Sequence, residues 1–221
     1  MGLSNIEILN EYFSTESRNI LYQTFYIALS AYNSLLEEKK EFKESVFFSN
    51  IRTRLLTFMI YRQFDKDLLS EEYPFKVITE KVNNFGYTSL ILHKNNINIS
   101  LANTNKKGKL PNKSKYRIKY SRFNTLYDVQ LRFKIDESGE NEIIDAPIFF
   151  IIGYKVYGGK FSYLNLMLPD NRMKNSLQNI DLTLEYNNWL NQPINQEDEE
   201  YIEKTIAKLK ESAIRELSIN N

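Results

Sequence analysis

The sequence predicts an α+β fold, helical at both ends with antiparallel strands between, and three observations predict it. Apolar residues recur at helical spacing before Pro74 and after Pro193. Between those prolines the period falls to two, the spacing of half-buried strands. Gly158-Gly159 joins the two longest strand-like runs, and paired glycines supply the positive φ angles of a type I′ turn. The expected architecture is an N-terminal αα-hairpin, a central antiparallel sheet of about seven to eight strands in hairpins, and a C-terminal helix.

From Glu16 to Lys40, residues Ile20, Leu21, Thr24, Ala28, Tyr32, Leu35 and Leu36 keep an i, i+4, i+8 rhythm. The charged stretch Glu37–Glu41 marks the end or turn of that helix. A second pattern runs from Ser45 to about Leu69, with Phe47, Ile51, Leu55, Phe58 and Tyr61 on one stripe. The two make an αα-hairpin, which Pro74 closes. Segments 75–82, 87–93 and 97–102 read as strands, with Asn95-Asn96 a two-residue hairpin turn. Segments 115–122 and 127–135 read as a further hairpin about Phe123-Asn124-Thr125. The strongest hairpin runs from Ile148 to Tyr157 and, past the glycines, from Lys160 to Leu168. Ile180, Leu182, Leu184 and Tyr186 alternate with polar residues, so 178–187 reads as a last strand, with a short helix as the other choice. The final helix spans Gln196 to Leu217, with Ile202, Ile206, Leu209, Ala213 and Leu217 on one face. Its acidic start and basic end suit the helix dipole.

The 221 residues are enough to bury a core. No internal repeat or low-complexity linker occurs, so a single domain over residues 1–221 is expected, with 16–70 helical, 75–187 mainly strands and 196–217 helical. The absence of cysteine excludes disulfides, thiolate catalysis and cysteine-ligated metals. The N-terminal stretch has neither the basic nor the apolar region of a secretory signal, and Ile6 breaks the myristoylation pattern. The apolar run Ile148–Ile152 is too short to span a bilayer. A soluble cytoplasmic protein with no membrane association is the expectation. Abundant Asn, Lys, Ile and Tyr fit an AT-rich bacterial genome or its mobile elements, and that bias lowers the weight of any short lysine cluster.

Formal charge is +1, so electrostatic binding must come from a local patch. Lys106 to Arg122 is that patch: Lys106, Lys107, Lys109, Lys113, Lys115, Arg117, Lys119 and Arg122 lie there with no acidic residue. Cations neutralise phosphates, and the interleaved Tyr116, Tyr120 and Phe123 are residue types that stack on unpaired bases. As a strand, the segment would instead alternate a buried aromatic side with a solvated basic one. In the 115–122/127–135 hairpin, the acidic stretch Asp136–Asp145 would emerge beside the basic one. Mutual neutralisation would then compete with phosphate binding, and the structural reading is preferred.

Catalysis is unsignalled. The Glu-x-Lys spacings at Glu37, Glu38 and Glu41 fall in the helix connection rather than on a strand, as a metal nuclease would need. Glu80, Asp128 and Glu185 are scattered acids of the kind any sheet protein offers. His93 is the only histidine, so histidine-pair metal sites are excluded. The common nucleotide-binding and hydrolase fingerprints are absent. Arg52, Arg54, Arg62 and Lys66 read as cations at the edges of a buried helical face.

The expectation is a non-catalytic macromolecule-binding protein, interacting or regulatory, of bacterial mobile-element or host–phage conflict type. It needs no cofactor and no metal, and its partner is another protein. The alternative is a nucleic-acid-binding protein, with or without Mg-dependent nuclease activity, centred on the basic segment. A sheet edge offers a route to a homo-oligomer.

Overall fold

The computed structural model describes residues 5–44, 46, 48–69, 73–82, 88–127, 133–135, 141–143 and 147–219. They form two compact units. The first takes the N-terminal stretch to Thr15, Pro74–Tyr157 and Phe161–Leu184. The second takes Glu16–Tyr73, Gly158–Lys160 and the chain from Glu185.

The first unit is built on a six-stranded sheet: β1 (Lys76–Lys81), β2 (Thr88–Lys94), β3 (Ile97–Asn103), β6 (Ile148–Tyr157), β7 (Lys160–Pro169) and β8 (Ser176–Asp181). The spatial order is β1-β2-β3-β6-β7-β8. Asn95 turns β2 into β3 with φ 49°, and Gly158 and Gly159 turn β6 into β7 with φ 57° and 73°. Both predicted tight turns are therefore present. In β3 and β6 nearly every residue is buried, on both faces, because they are the two central strands. That burial explains the continuous apolar run at Ile148–Ile152.

On one face, Ile91, Ala102, Phe149, Ile151, Met167 and Met173 form a core with Tyr116. Toward the other face, α1 (Asn5–Tyr12) brings Tyr12 to 6.4 Å from the Phe150 ring, and the Phe13 and Phe75 rings meet edge-on. After β7, Asp170 organises the turn to β8. Its carboxylate accepts the Arg172, Lys174 and Asn175 backbone N–H groups at 2.8–3.0 Å.

Several strand expectations are corrected. Segment 115–122 is a helix, α5 (Lys115–Ser121), not a strand. Ser114 is its N-cap and accepts the Arg117 N–H, and Tyr116 and Tyr120 are also an i, i+4 pair, so the alternation fitted both periods. Helical geometry prevails because it lays Tyr116 against the sheet core. The Phe123-Asn124-Thr125 turn lies within a 3-10 helix, Arg122–Tyr127. The 115–122/127–135 hairpin therefore does not form. Its second arm lies largely outside the described residues, except that β4 (Phe133–Ile135) pairs antiparallel with β5 (Asn141–Ile143) in a separate ribbon. The strand expected at 178–187 stops at Asp181, whose carboxylate accepts the Thr183 N–H at 3.0 Å, and α6 (Thr183–Leu190) follows. Leu184 accordingly points to solvent instead of sharing a face with Ile180. The sheet is also not wholly antiparallel, since β3 and β6 run parallel, with Ile97 opposite Ile148.

The second unit contains α2 (Thr15–Glu38), α3 (Lys40–Glu44), α4 (Ser49–Arg62), most of α6, and α7 (Gln196–Ile219). Leu21, Thr24, Ala28, Tyr32 and Leu35 of α2 are buried, as their spacing predicts. In α4 the buried stripe is Leu55, Leu56, Met59 and Ile60 rather than one including Ile51, which is exposed. Phe47 and Ser45 lie outside the described residues. The Gln63 amide, buried, donates to the Thr24 carbonyl at 2.8 Å and ties the end of α4 to α2. On α7, Ile202, Leu209 and Ala213 are buried, and Lys210 reaches Ser34 and Glu38 on α2. Among the described residues no helix is long and apolar enough to cross a membrane.

Candidate nucleic-acid interface

The basic segment is a loop followed by a helix, and the first unit holds it at defined points. Thr104 leaves β3 with its N–H on the Tyr154 carbonyl at 3.0 Å, while the Tyr163 hydroxyl donates to the Thr104 carbonyl at 2.6 Å. The loop then reaches β8. Lys107 pairs with Asp181 at 2.5 Å, and Gly108 turns at φ 69° against Asn179. A Cβ at Gly108 would stand 2.1 Å from the Asn179 side-chain nitrogen, which would have to swing aside, but it is the positive φ of the turn that favours glycine here.

Beyond the loop, α5 lies on the sheet through its aromatic side. Tyr116 is buried, its hydroxyl accepting from Ser89 at 2.8 Å and lying 3.3 Å from the Ser100 hydroxyl. Tyr120 stacks at a tilt 5.7 Å from Phe149 and donates to Glu80 at 2.8 Å. Burial, together with the hydrogen bond to Glu80 and that group's charge, pushes the Tyr120 hydroxyl up to about 12. At the 3-10 helix Asn124 is wholly buried. Its amide nitrogen donates to the Phe149 and Pro169 carbonyls at 2.9 and 2.8 Å, and its oxygen accepts the Phe149 N–H at 2.9 Å.

The eight predicted cations divide by what they touch. Lys107 is matched to Asp181. Lys119 is matched to Glu80 at 2.9 Å, and the Lys119 and Tyr120 hydrogen bonds hold the Glu80 carboxyl below its usual range. Arg117 folds over the Tyr116 ring, 5.1 Å from its centroid, and donates to the Asn112 carbonyl at 2.8 Å. Lys106, Lys109, Lys113 and Lys115 are exposed and make no ion pair with a described residue. Lys115, Lys119 and Arg122 are spaced by four and three residues, as on one helical face, and all three are exposed. Phe123 follows and is half exposed. The ring that segment offers to solvent is therefore Phe123, while Tyr116 serves the core. The strand expectation also places Tyr116 on a buried side, and the helix keeps it there.

Other candidate residues are engaged elsewhere. Glu80 is held by Lys119 and Tyr120, Glu185 pairs with Arg18 at 2.7 Å, and Asp128 lies outside the described residues. Among the described residues no group of three or more His, Asp or Glu is placed to hold a metal ion. The His93 Nδ1 lies 2.9 Å from the Asn98 side-chain oxygen, across the β2–β3 pair. On α4, Arg62 makes two hydrogen bonds to Asp67, at 2.7 and 2.6 Å, and Arg52 donates to the Phe42 carbonyl.

The chain matches no protein-family model, no curated protein and no solved structure.

Proposed function

We propose that this is a non-catalytic macromolecule-binding protein whose partner is nucleic acid, held by phosphate contacts along the segment from Lys106 to Phe123. One observation carries the reading: Lys106, Lys109, Lys113 and Lys115 are exposed with no described acidic partner, on a segment fixed to the sheet at Lys107, Gly108 and Tyr116. Cations already committed to carboxylates give up that pairing to bind phosphate, whereas these four do not. The hairpin that would have carried Asp136–Asp145 to the basic stretch does not form, which removes the reason for preferring internal neutralisation. Phe123 adds an aromatic face beside Arg122, suited to an unpaired base.

The test is binding of fluorescent single- and double-stranded oligonucleotides across a salt series. Each phosphate neutralised contributes about 0.7 (single strand) to 0.9 (duplex) to the log–log salt slope, so four lysines give a slope near −3 to −4. Changing Lys109, Lys113 and Lys115 together to Glu is expected to abolish binding, and Phe123→Ala to weaken the single-stranded complex selectively. Undetectable binding at low salt removes the proposal. So does binding that survives the triple change.

A further inference from the structure

The second unit holds a small pocket of about 200 Å³ lined by Gln23 and Tyr26 of α2, Trp189 and Leu190 of α6, Gln192, Pro193 and Ile194 of the connection, and Asp198 and Ile202 of α7. Its volume is below the roughly 300–1,000 Å³ of pockets that take drug-sized ligands, so it suits one small group. Two of its walls are aromatic. The Tyr26 and Trp189 rings lie 6.1 Å apart with their planes at 67°, an edge-to-face pair that lines one corner of the pocket. Trp189 is also packed against two other rings, stacked on Tyr186 at 6.2 Å and tilted on Tyr22 at 6.3 Å. Leu190 and Ile194 are large apolar residues left substantially exposed there.

The polar complement has one sign. Asp198 and Asn195 cap α7 reciprocally: the Asp198 N–H donates to the Asn195 oxygen and Asp198 Oδ2 accepts from the Asn195 amide, both at 2.8 Å. The second carboxylate oxygen, Oδ1, takes no hydrogen bond from a described residue. Among the described residues neither Lys nor Arg lines the pocket. Glu197, Glu199 and Glu203 stand exposed on the first turns of the same helix and extend the negative field, while Glu200 is paired with Lys204 at 2.6 Å.

An aromatic corner with a carboxylate at its edge attracts a cation through the ring quadrupoles as well as through charge. A primary ammonium is strongly hydrated and needs three acceptors, which these apolar walls do not supply. A methylated ammonium is weakly hydrated and presents methyl groups that fit ring faces. We propose that this pocket binds the quaternary ammonium head of a small organic cation, with Tyr26 and Trp189 as its walls and Asp198 as its counter-ion.

Trp189 is the only tryptophan of the chain, so intrinsic tryptophan fluorescence reads this pocket directly. The full-length protein is titrated with choline at constant ionic strength, in parallel with ethanolamine and with the neutral tert-butyl analogue of choline. Choline is expected to give a saturable change, and both comparison compounds to bind at least about tenfold more weakly. Tyr26→Leu, which keeps apolar volume without a π face, is expected to weaken choline at least about tenfold with the thermal unfolding midpoint retained. Asp198→Asn preserves the capping atoms and is expected to weaken it several-fold, which holds the test open if Tyr26→Leu fails to fold. A choline response no larger than that of sodium chloride overturns the proposal. Equal binding of the neutral analogue, or choline binding unchanged in the folded Tyr26→Leu or Asp198→Asn protein, overturns it too.

Discussion

Asn124→Ala is the substitution whose cost follows most directly from geometry. The residue is wholly buried, and its amide makes three hydrogen bonds, all to backbone groups at the entry to β6 and the exit of β7. Alanine removes all three and leaves the Phe149 N–H and the Phe149 and Pro169 carbonyls short of a partner where water does not reach. At about 1 kcal/mol per bond, with a further contribution from stranding buried groups, the expected loss is about 3–5 kcal/mol. A domain holds only about 5–15 kcal/mol in total, so the variant sits near its unfolding threshold. With a urea m-value of about 2 kcal/mol per molar, the midpoint falls by roughly 2 M. Asn124→Asp sharpens the measurement. It keeps shape but turns two donors into an acceptor facing two carbonyls, so its carboxyl is expected to stay protonated in the folded state, with its pKa raised. The sign follows: the unfolded chain ionises near pH 3.9 while the folded one resists, so the deficit against wild type is small at pH 4 and grows toward pH 7. A loss under about 1 kcal/mol in Asn124→Ala, or a deficit in Asn124→Asp that is flat from pH 4 to 7, refutes the reasoning.

Three further outcomes are expected. Glu80→Gln should cost about 1 kcal/mol at neutral pH, because Lys119 is mostly exposed. Since the Glu80 carboxyl is held below its ordinary 4.5, its contribution is present above that pH and lost as acidity rises through the lowered value, so wild-type and variant denaturation curves converge below it. Arg18→Leu should destabilise by about 2 kcal/mol in equilibrium unfolding, less than for a fully buried pair because Glu185 stays about a third exposed. Gly108→Ala meets both an unfavourable φ and the Asn179 side chain, and should cost about 1–2 kcal/mol with amide exchange rising across residues 105–109.

How much of this was legible in the sequence depends on whether a pattern admitted one period or two. The β2–β3 and β6–β7 hairpins were readable because Asn95-Asn96 and Gly158-Gly159 state their own turn chemistry. Helices α2 and α7 run for many turns, long enough for helical spacing to be unmistakable. Lys115–Ser121 is too short for that: Tyr116, Ile118 and Tyr120 satisfy alternation, and only Ser114 ahead of them signals a helix start. The same ambiguity carried Ile180–Tyr186 across a strand end that Asp181 imposes by a local side-chain bond. The basic segment was visible as composition. Which of its lysines are already spoken for was not, since Asp181 and Glu80 reach it from strands distant in sequence. The Tyr26–Trp189 corner was likewise hidden, because its walls come from helices far apart in the chain.

The parallel junction of β3 and β6 has a consequence for the order in which the sheet assembles. On one side of it, β1 to β3 form a meander; on the other, β6 to β8 form a second. Each β2–β3 and β6–β7 turn closes over two residues, whereas Ile97 meets a partner about 50 residues downstream. Loop-closure entropy grows with the length of chain enclosed, so that join costs more to initiate than either tight turn. The sheet is thus two locally cheap ribbons fused along one non-local seam, and that seam is the slow, topology-limited step. The basic loop and α5 are part of the intervening chain, so the surface proposed to meet nucleic acid is completed when the two ribbons join.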